Sequence, residues 1–245
     1  MRRFIAAMMF FTRLPVGRKI HWKPEDFERI TDVWPLTGIV SGGLTALGYW
    51  GAASLIPSFT AAIVALAFRL MLTGALHEDG LADFCDGFGC QCNREKTLAI
   101  MKDSSIGTFG VLGLTLYCLL FILSVGMLPI MTGVFLIIGS DVWCKFCASK
   151  LVDFLPYARK QEESKSGIVY RKGSLTTSII VGAVSLGCVV PLWWPMAMYS
   201  LAAPLAVFAL GLMMKRRIGG YTGDCCGAAF LAAQSLMFLT ALAIG

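Results

Sequence analysis

Apolar residues recur along this chain in runs of roughly 20, separated by short polar or turn-forming stretches. Seven runs are read, at 33–56, 59–77, 106–126, 130–151, 174–193, 196–214 and 224–244. A helix needs about 20 consecutive apolar residues to cross a bilayer, so each run predicts a spanning helix. Two further stretches, 4–12 and 93–103, look amphipathic. The fold class expected is all-α: a polytopic integral membrane helix bundle of about seven transmembrane spans, forming a single transmembrane domain over 1–245. The longest polar stretch, Asp153 to Ser174, has 22 residues and is too short for a separate domain. There is no fixed-period repeat. The opening MRRFIAAMMFFTRLP has the basic start and short apolar run of a signal peptide. It lacks a small-x-small cleavage site and ends in Arg13-Leu14-Pro15, so it is read as an interfacial or short entry helix.

Composition agrees with this pattern. The chain is 57% hydrophobic and 15% charged, with mean hydropathy +0.72; a soluble domain has about 25% charged residues. Twenty of the 21 Lys and Arg residues fall on one side if the runs alternate across a membrane. The opposite turns, at Pro57-Ser58, Met127–Pro129 and Leu192–Pro195, carry none. The positive-inside rule then predicts an N-in, C-out protein of the cytoplasmic (inner) membrane. The net charge of +6 is accounted for by a basic face near anionic lipid and does not call for nucleic acid. Only Arg69 is left inside a run. Cys85, Cys90, Cys92, Cys225 and Cys226 fall on the reducing face, which argues against disulfides. Cys90-x-Cys92 suggests metal, but no four-ligand zinc spacing appears, and the nine cysteines are read as small apolar filler.

The stretch HEDGLADFCDG, His77 to Gly87, sets four acids at the end of an apolar run. Asp79, Asp83 and Asp86 are spaced i, i+4, i+7. If the second run continues as helix past His77, they share one face. Stacked like charges at a membrane edge call for a compensating cation, and magnesium is held by one or two carboxylates plus substrate phosphates. Three or four acids can also bridge a metal pair about 4 Å apart. The metal candidates are Asp79, Asp83, Asp86 and Glu78.

Two more stretches belong to the same side. In MKDSSIGTFG, Met101 to Gly110, Asp103, Ser104 or Ser105 is placed to cap the next helix. Free N–H groups at a helix start also bind phosphate. KRRIGGYTGDCCGA, Lys215 to Ala228, joins Lys215, Arg216 and Arg217 to a glycine-rich turn with Thr222 and Asp224. Its composition is that of a phosphate cradle, though it is no Walker sequence. Asp141 and Lys145, at i, i+4 inside a run, are placed to pair. His77 and His21 are uninformative alone.

Together these motifs resemble the cobalamin synthase family, also called adenosylcobinamide-GDP ribazoletransferase. The resemblance rests on TRLPV (Thr12 to Val16), LTGALHEDGLADFCDG (Leu72 to Gly87), MKDSSIGTFG, YAR (Tyr157 to Arg159) and GGYTGDCCGA (Gly219 to Ala228), and covers nearly the full length. It implies a magnesium-dependent membrane enzyme of late vitamin B12 assembly that joins adenosylcobinamide-GDP to alpha-ribazole or its 5'-phosphate and releases GMP. It further implies that Asp79, Asp83 and Asp86 hold metal with Glu78 nearby. Asp103 and Asp224 extend the acidic set, and Lys102, Ser104, Arg159, Lys215 to Arg217 and Thr222 line the phosphates. Asp83 or Asp86 accepts the nucleophile's proton. The partners implied are the two substrates, membrane lipid, and either a second copy of the chain or other corrinoid-assembly enzymes. The chain departs from the family pattern at Glu78, where that pattern is apolar, and at Ser140-Asp141, where it has Ser-Arg. The rival readings fit less well. CDP-alcohol phosphotransferases and aspartate-rich prenyltransferases carry different acid motifs, and a transporter would place its acids near the bilayer midplane.

Overall fold

The computed structural model describes residues 1–159, 168–189 and 198–244. Every apolar run has a helix within it. They are α1 (Arg2–Phe11), α2 (Trp34–Ala53), α3 (Ser58–Thr73), α4 (Leu76–Gly89), α5 (Arg94–Ile100), α6 (Thr108–Met127), α7 (Ile130–Ser149), the short α8 (Leu151–Phe154), α9 (Leu175–Gly187), α10 (Ala202–Ile218) and α11 (Gly223–Ile244). Among the described residues the only β-pairing is one parallel bridge, Tyr157 to Tyr221. Lys160, Lys165, the end of the fifth expected run, the start of the sixth and the Leu192–Pro195 turn lie outside the described residues.

Among the described residues, three helical segments are long and apolar enough to cross a bilayer: Thr108–Met127, Ile130–Phe154 and Gly223–Ile244. A fourth span results if α3 and α4 count as one. The outer face of α6 carries Val111, Leu112, Leu116, Leu119 and Leu123, all exposed; such a surface suits lipid better than water. α1, expected as an interfacial or short entry helix, buries Ala6, Ala7, Met8 and Phe11.

α2 and α7 pack closely. Gly38 and Gly42 make this contact: a Cβ at 38 would lie 3.0 Å from the Asp141 backbone, and one at 42 would lie 2.9 Å from its Cβ. Small residues four apart let apolar helices approach where lipid offers no competing hydrophobic force.

The second run does not continue as one helix past His77. α3 ends at Thr73, then Gly74 (φ 65°) and Ala75 (φ 55°) both turn left-handed, and α4 leaves at 93°. Consecutive left-handed residues cannot propagate a right-handed helix. The acids therefore sit on a helix of their own. A second correction concerns α6. Its N-cap is Gly107, and none of Asp103, Ser104 and Ser105 caps it. Asp103 instead accepts the Ser105 amide at 2.8 Å, and that bond holds its carboxyl below the usual carboxylate range. The start of α6 is satisfied by Asp86, whose two oxygens accept the Gly107 and Gly110 amides at 2.7 and 2.8 Å. A carboxylate there meets both free N–H groups and the positive helix end. Third, Cys90 and Cys92 are joined as a disulfide, contrary to the expectation of reduced thiols.

Asp86→Ala removes a helix cap supplied from another helix, and the expected cost is about 1–2 kcal/mol. Thermal unfolding of the purified variant in detergent checks this; an unchanged midpoint would refute the capping role.

Candidate active site

Four of the five motifs, HEDGLADFCDG, MKDSSIGTFG, YAR and GGYTGDCCGA, meet at one end of the bundle. Ala158 N–H donates to the Tyr221 carbonyl at 2.8 Å and Tyr221 N–H to the Pro156 carbonyl at 2.9 Å, which binds the YAR segment to the glycine-rich turn. Arg94 ties both down by donating to the Ile218 and Ala158 carbonyls at 2.8 and 2.9 Å. The turn in turn touches the acid helix at Gly80, where a Cβ would lie 3.0 Å from the Asp224 carbonyl oxygen. Asp86 joins MKDSSIGTFG to the same helix.

These contacts frame a cavity of about 290 Å³. Asp79 from α4, Asp224 from the first turn of α11 and Arg159 line it. The Arg159 side chain is 3% exposed and sits 3.9 Å from Asp224. Its Nη2 donates to the Leu98 carbonyl at 3.2 Å, while its buried Nε has no hydrogen-bond partner. Tyr170 also lines the cavity, and Tyr221 packs behind Tyr157 at 5.5 Å. Burial pushes both the Tyr170 and Tyr221 phenols well up, so each stays protonated at neutral pH.

The other candidates go elsewhere. Glu78 is buried and points to Arg69, with Oε1 3.8 Å from Nε, so it does not join a surface metal cluster. Residues 78 and 79 differ by about 100° around a helix, which is why these adjacent acids face different neighbours. Asp83 is half-buried on the face of Asp79. Thr222 is fully buried, and its hydroxyl accepts the Cys225 amide at 3.3 Å. Arg217 donates to the Cys90 carbonyl and reaches Thr97 Oγ1 at 3.4 Å. Lys102, Asp103, Ser104, Lys215 and Arg216 are exposed and lie off the cavity wall.

Magnesium, the metal implied by the resemblance, is tested by the donors present. Among the described residues no three His, Cys, Asp or Glu side chains converge on one point. Magnesium does not require that, since carboxylates and substrate phosphates share its shell. Asp79 and Asp224 are hard oxygen donors from two touching helices, facing one cavity beside a guanidinium. The set fits the ion.

Sequence reading missed a buried ionic network behind this cavity. Arg69, Glu78, Asp141 and Lys145 have exposures of 3, 4, 3 and 1%. Lys145 donates to Asp141 at 2.7 Å and to Ser41 at 2.8 Å, and Ser41 donates to Asp141 at 2.6 Å. Arg69 donates to Gln234 at 2.8 Å and lies 3.7 Å from Asp141. Gln234 also accepts from Tyr117 at 3.1 Å and donates to Ser140 at 2.9 Å. The i, i+4 pair was legible; the partners of Arg69 were not. Glu78 and Asp141 both face this one arginine.

A cavity lined by carboxylates and a guanidinium, at the end of a bundle whose helices are apolar enough to cross a bilayer, defines a class: an all-helical protein suited to a membrane. Comparison with known proteins narrows the class. The family model described as Cobalamin-5-phosphate synthase matches residues 3–243. The chain belongs to that family, and it is a transferase. It is similar to proteins named adenosylcobinamide-GDP ribazoletransferase. That of Shewanella frigidimarina is 33% identical over 99% of this chain and 94% of its own length. That of Leptothrix cholodnii is 37% identical over 93% and 90%, and that of Vibrio parahaemolyticus 32% over 99% and 92%. No solved structure matches.

Removing one member of a buried ion pair costs about 3–5 kcal/mol, because the remaining charge stays buried. Lys145→Met is expected to lose that much, and Lys145→Met combined with Asp141→Asn to recover most of it. Comparing the thermal stability of both proteins with wild type measures the difference. Equal losses would show that the two residues do not act as a pair.

Proposed function

We propose that this protein joins adenosylcobinamide-GDP to alpha-ribazole or alpha-ribazole 5'-phosphate and releases GMP, at the cytoplasmic face of the inner membrane. The observation that supports it best is the cavity shared by Asp79, Asp224 and Arg159, in a chain of this family. The basic-residue asymmetry supports seven spans with the N-terminus inside and the C-terminus outside.

The chemistry is phosphoryl transfer, which needs positioning and charge stabilisation more than covalent help from the protein. Asp79 and Asp224 would hold magnesium, with Asp83 beside them one turn along α4. Magnesium, when bound, neutralises pyrophosphate charge and stabilises the departing GMP. Arg159 brings a buried guanidinium with an unpaired N–H to the same cavity and binds a phosphate oxygen there. A free ribose hydroxyl of the ribazole attacks the phosphorus nearer the corrinoid, losing its proton as the new P–O bond forms, and the bond to GMP breaks. Asp83 accepts the proton of the attacking hydroxyl; Asp86 is occupied in holding the start of α6. The exposed Lys102, Lys215 and Arg216 raise the local concentration of anionic substrate.

Purified protein in lipid should release GMP from adenosylcobinamide-GDP only when both magnesium and ribazole are present. Asp83→Asn should lower that rate by about 100-fold or more while leaving membrane insertion and thermal stability intact. GMP release without ribazole, or a fully active Asp83→Asn protein, would sink the corresponding assignment.

A further inference from the structure

Beside its charged groups, the cavity is walled by aromatic rings: Phe10 and Phe11 of α1, Trp34 at the start of α2, Tyr157, Tyr170 and the imidazole of His77. Phe11, Trp34 and His77 lie nearly parallel. Phe11 stacks on Trp34 at 5.1 Å and 19°, and His77 stacks on Phe11 at 5.9 Å and 13° and on Trp34 at 5.6 Å and 21°. Phe10 meets Tyr170 edge-on at 6.4 Å and 87°. Phe10, Tyr157 and Tyr170 are only half-buried, so part of each ring remains open. Both ring nitrogens of His77, and Nε1 of Trp34, are buried without a hydrogen-bond partner.

Stacked rings with unpaired ring N–H groups describe a seat for a flat, weakly polar heterocycle. Resting on the function proposed above, we propose that the aromatic wall seats the benzimidazole of alpha-ribazole and sets lower-base specificity, while Asp79, Asp224 and Arg159 take the phosphate end. A benzimidazole nucleoside keeps one unsubstituted ring nitrogen, an acceptor that a single N–H from His77 or Trp34 satisfies. The guanine of the GDP group is the other planar base available. Its edge carries two donor groups and a carbonyl, and it calls for a carboxylate, yet both cavity carboxylates are assigned to metal. Size separates the substrates too. At about 290 Å³ the cavity sits at the lower limit for small-molecule sites. A corrin ring with its side chains exceeds it and must lie outside, presenting only its pyrophosphate.

The test uses Phe10→Ala and Tyr170→Ala in lipid nanodiscs, with Phe10→Tyr and Tyr170→Phe as ring-retaining controls. Loss of stacking on a base predicts a KM for alpha-ribazole raised about ten- to hundredfold in the alanine variants and restored in the controls. The KM for adenosylcobinamide-GDP and inhibition by GMP should stay within about twofold, on the same reasoning. An unchanged ribazole KM would overturn the proposal. So would a rise in corrinoid KM together with weaker GMP inhibition, which would place guanine in the seat. Absence of GMP release by wild type would strike the proposed function instead. In that event calorimetric binding of alpha-ribazole is the readout. Binding to wild type that Phe10→Ala abolishes supports the seat, and no binding to wild type overturns it.

Discussion

A guanidinium with almost no exposed surface stands where helices α3, α4, α7 and α11 meet, and the arrangement of the bundle follows from how that charge is answered. Arg69 reaches Gln234, Asp141 and Glu78 from three different helices, and lies over the faces of Tyr117, Phe121 and Phe230 at 5.4–5.9 Å. Lys145 brings in Ser41 of α2. Two cations and two carboxylates balance. An ion taken out of water and left alone would cost several kcal/mol. In an apolar surround, side-chain hydrophobicity does not favour one helix packing over another; close contacts and polar cross-links do. The network gives the bundle one arrangement in which all four charges are answered, and it calls for the glycine-mediated approach of α2 to α7.

This constraint extends to the active-site candidate. Glu78 holds one side of α4 to Arg69, and the next residue, Asp79, faces the cavity. The 93° break at Gly74–Ala75 turns α4 away from α3, so that the same short helix lies against the start of α11. Asp86, two turns on from Asp79, anchors α6. α4 is thus positioned at two points by its own acids, Glu78 and Asp86, and at a third by the contact of Gly80 with Asp224. Such a helix can present a carboxylate at fixed distance from Asp224, which phosphoryl transfer requires more than it requires reactive side chains.

Much of this was legible in the chain because it is periodic or local. Runs of roughly 20 apolar residues become helices because the backbone must satisfy its own hydrogen bonds in an apolar surround. The Asp141–Lys145 pair is visible because i, i+4 residues are neighbours on any helix. The convergence of HEDGLADFCDG, MKDSSIGTFG, YAR and GGYTGDCCGA follows from their charges lying on one side of the runs. What was not legible is long-range. Arg69 and Gln234 are 165 positions apart, and a neutral glutamine within an apolar run gives no sign of its partner. The break before His77 depends on a left-handed alanine, a conformation its side chain does not advertise. The cap on α6 comes from 21 and 24 positions upstream, while nearer serines and an aspartate fit the local rule equally well.

The acid motif shows why spacing alone misdirects. Asp79, Asp83 and Asp86 do share a helical face, and that face suggests a single metal cluster. Yet a helix face 10 Å long borders more than one neighbour. Its N-terminal end meets α11 and the cavity, and its C-terminal end meets the start of α6, whose Gly107 and Gly110 amides take the Asp86 carboxylate. The acids are divided by what lies opposite each one. The same argument explains why Asp224, remote in sequence and outside the motif, belongs with Asp79. Two carboxylates come to one cavity where two helices touch, and here the point of contact is Gly80.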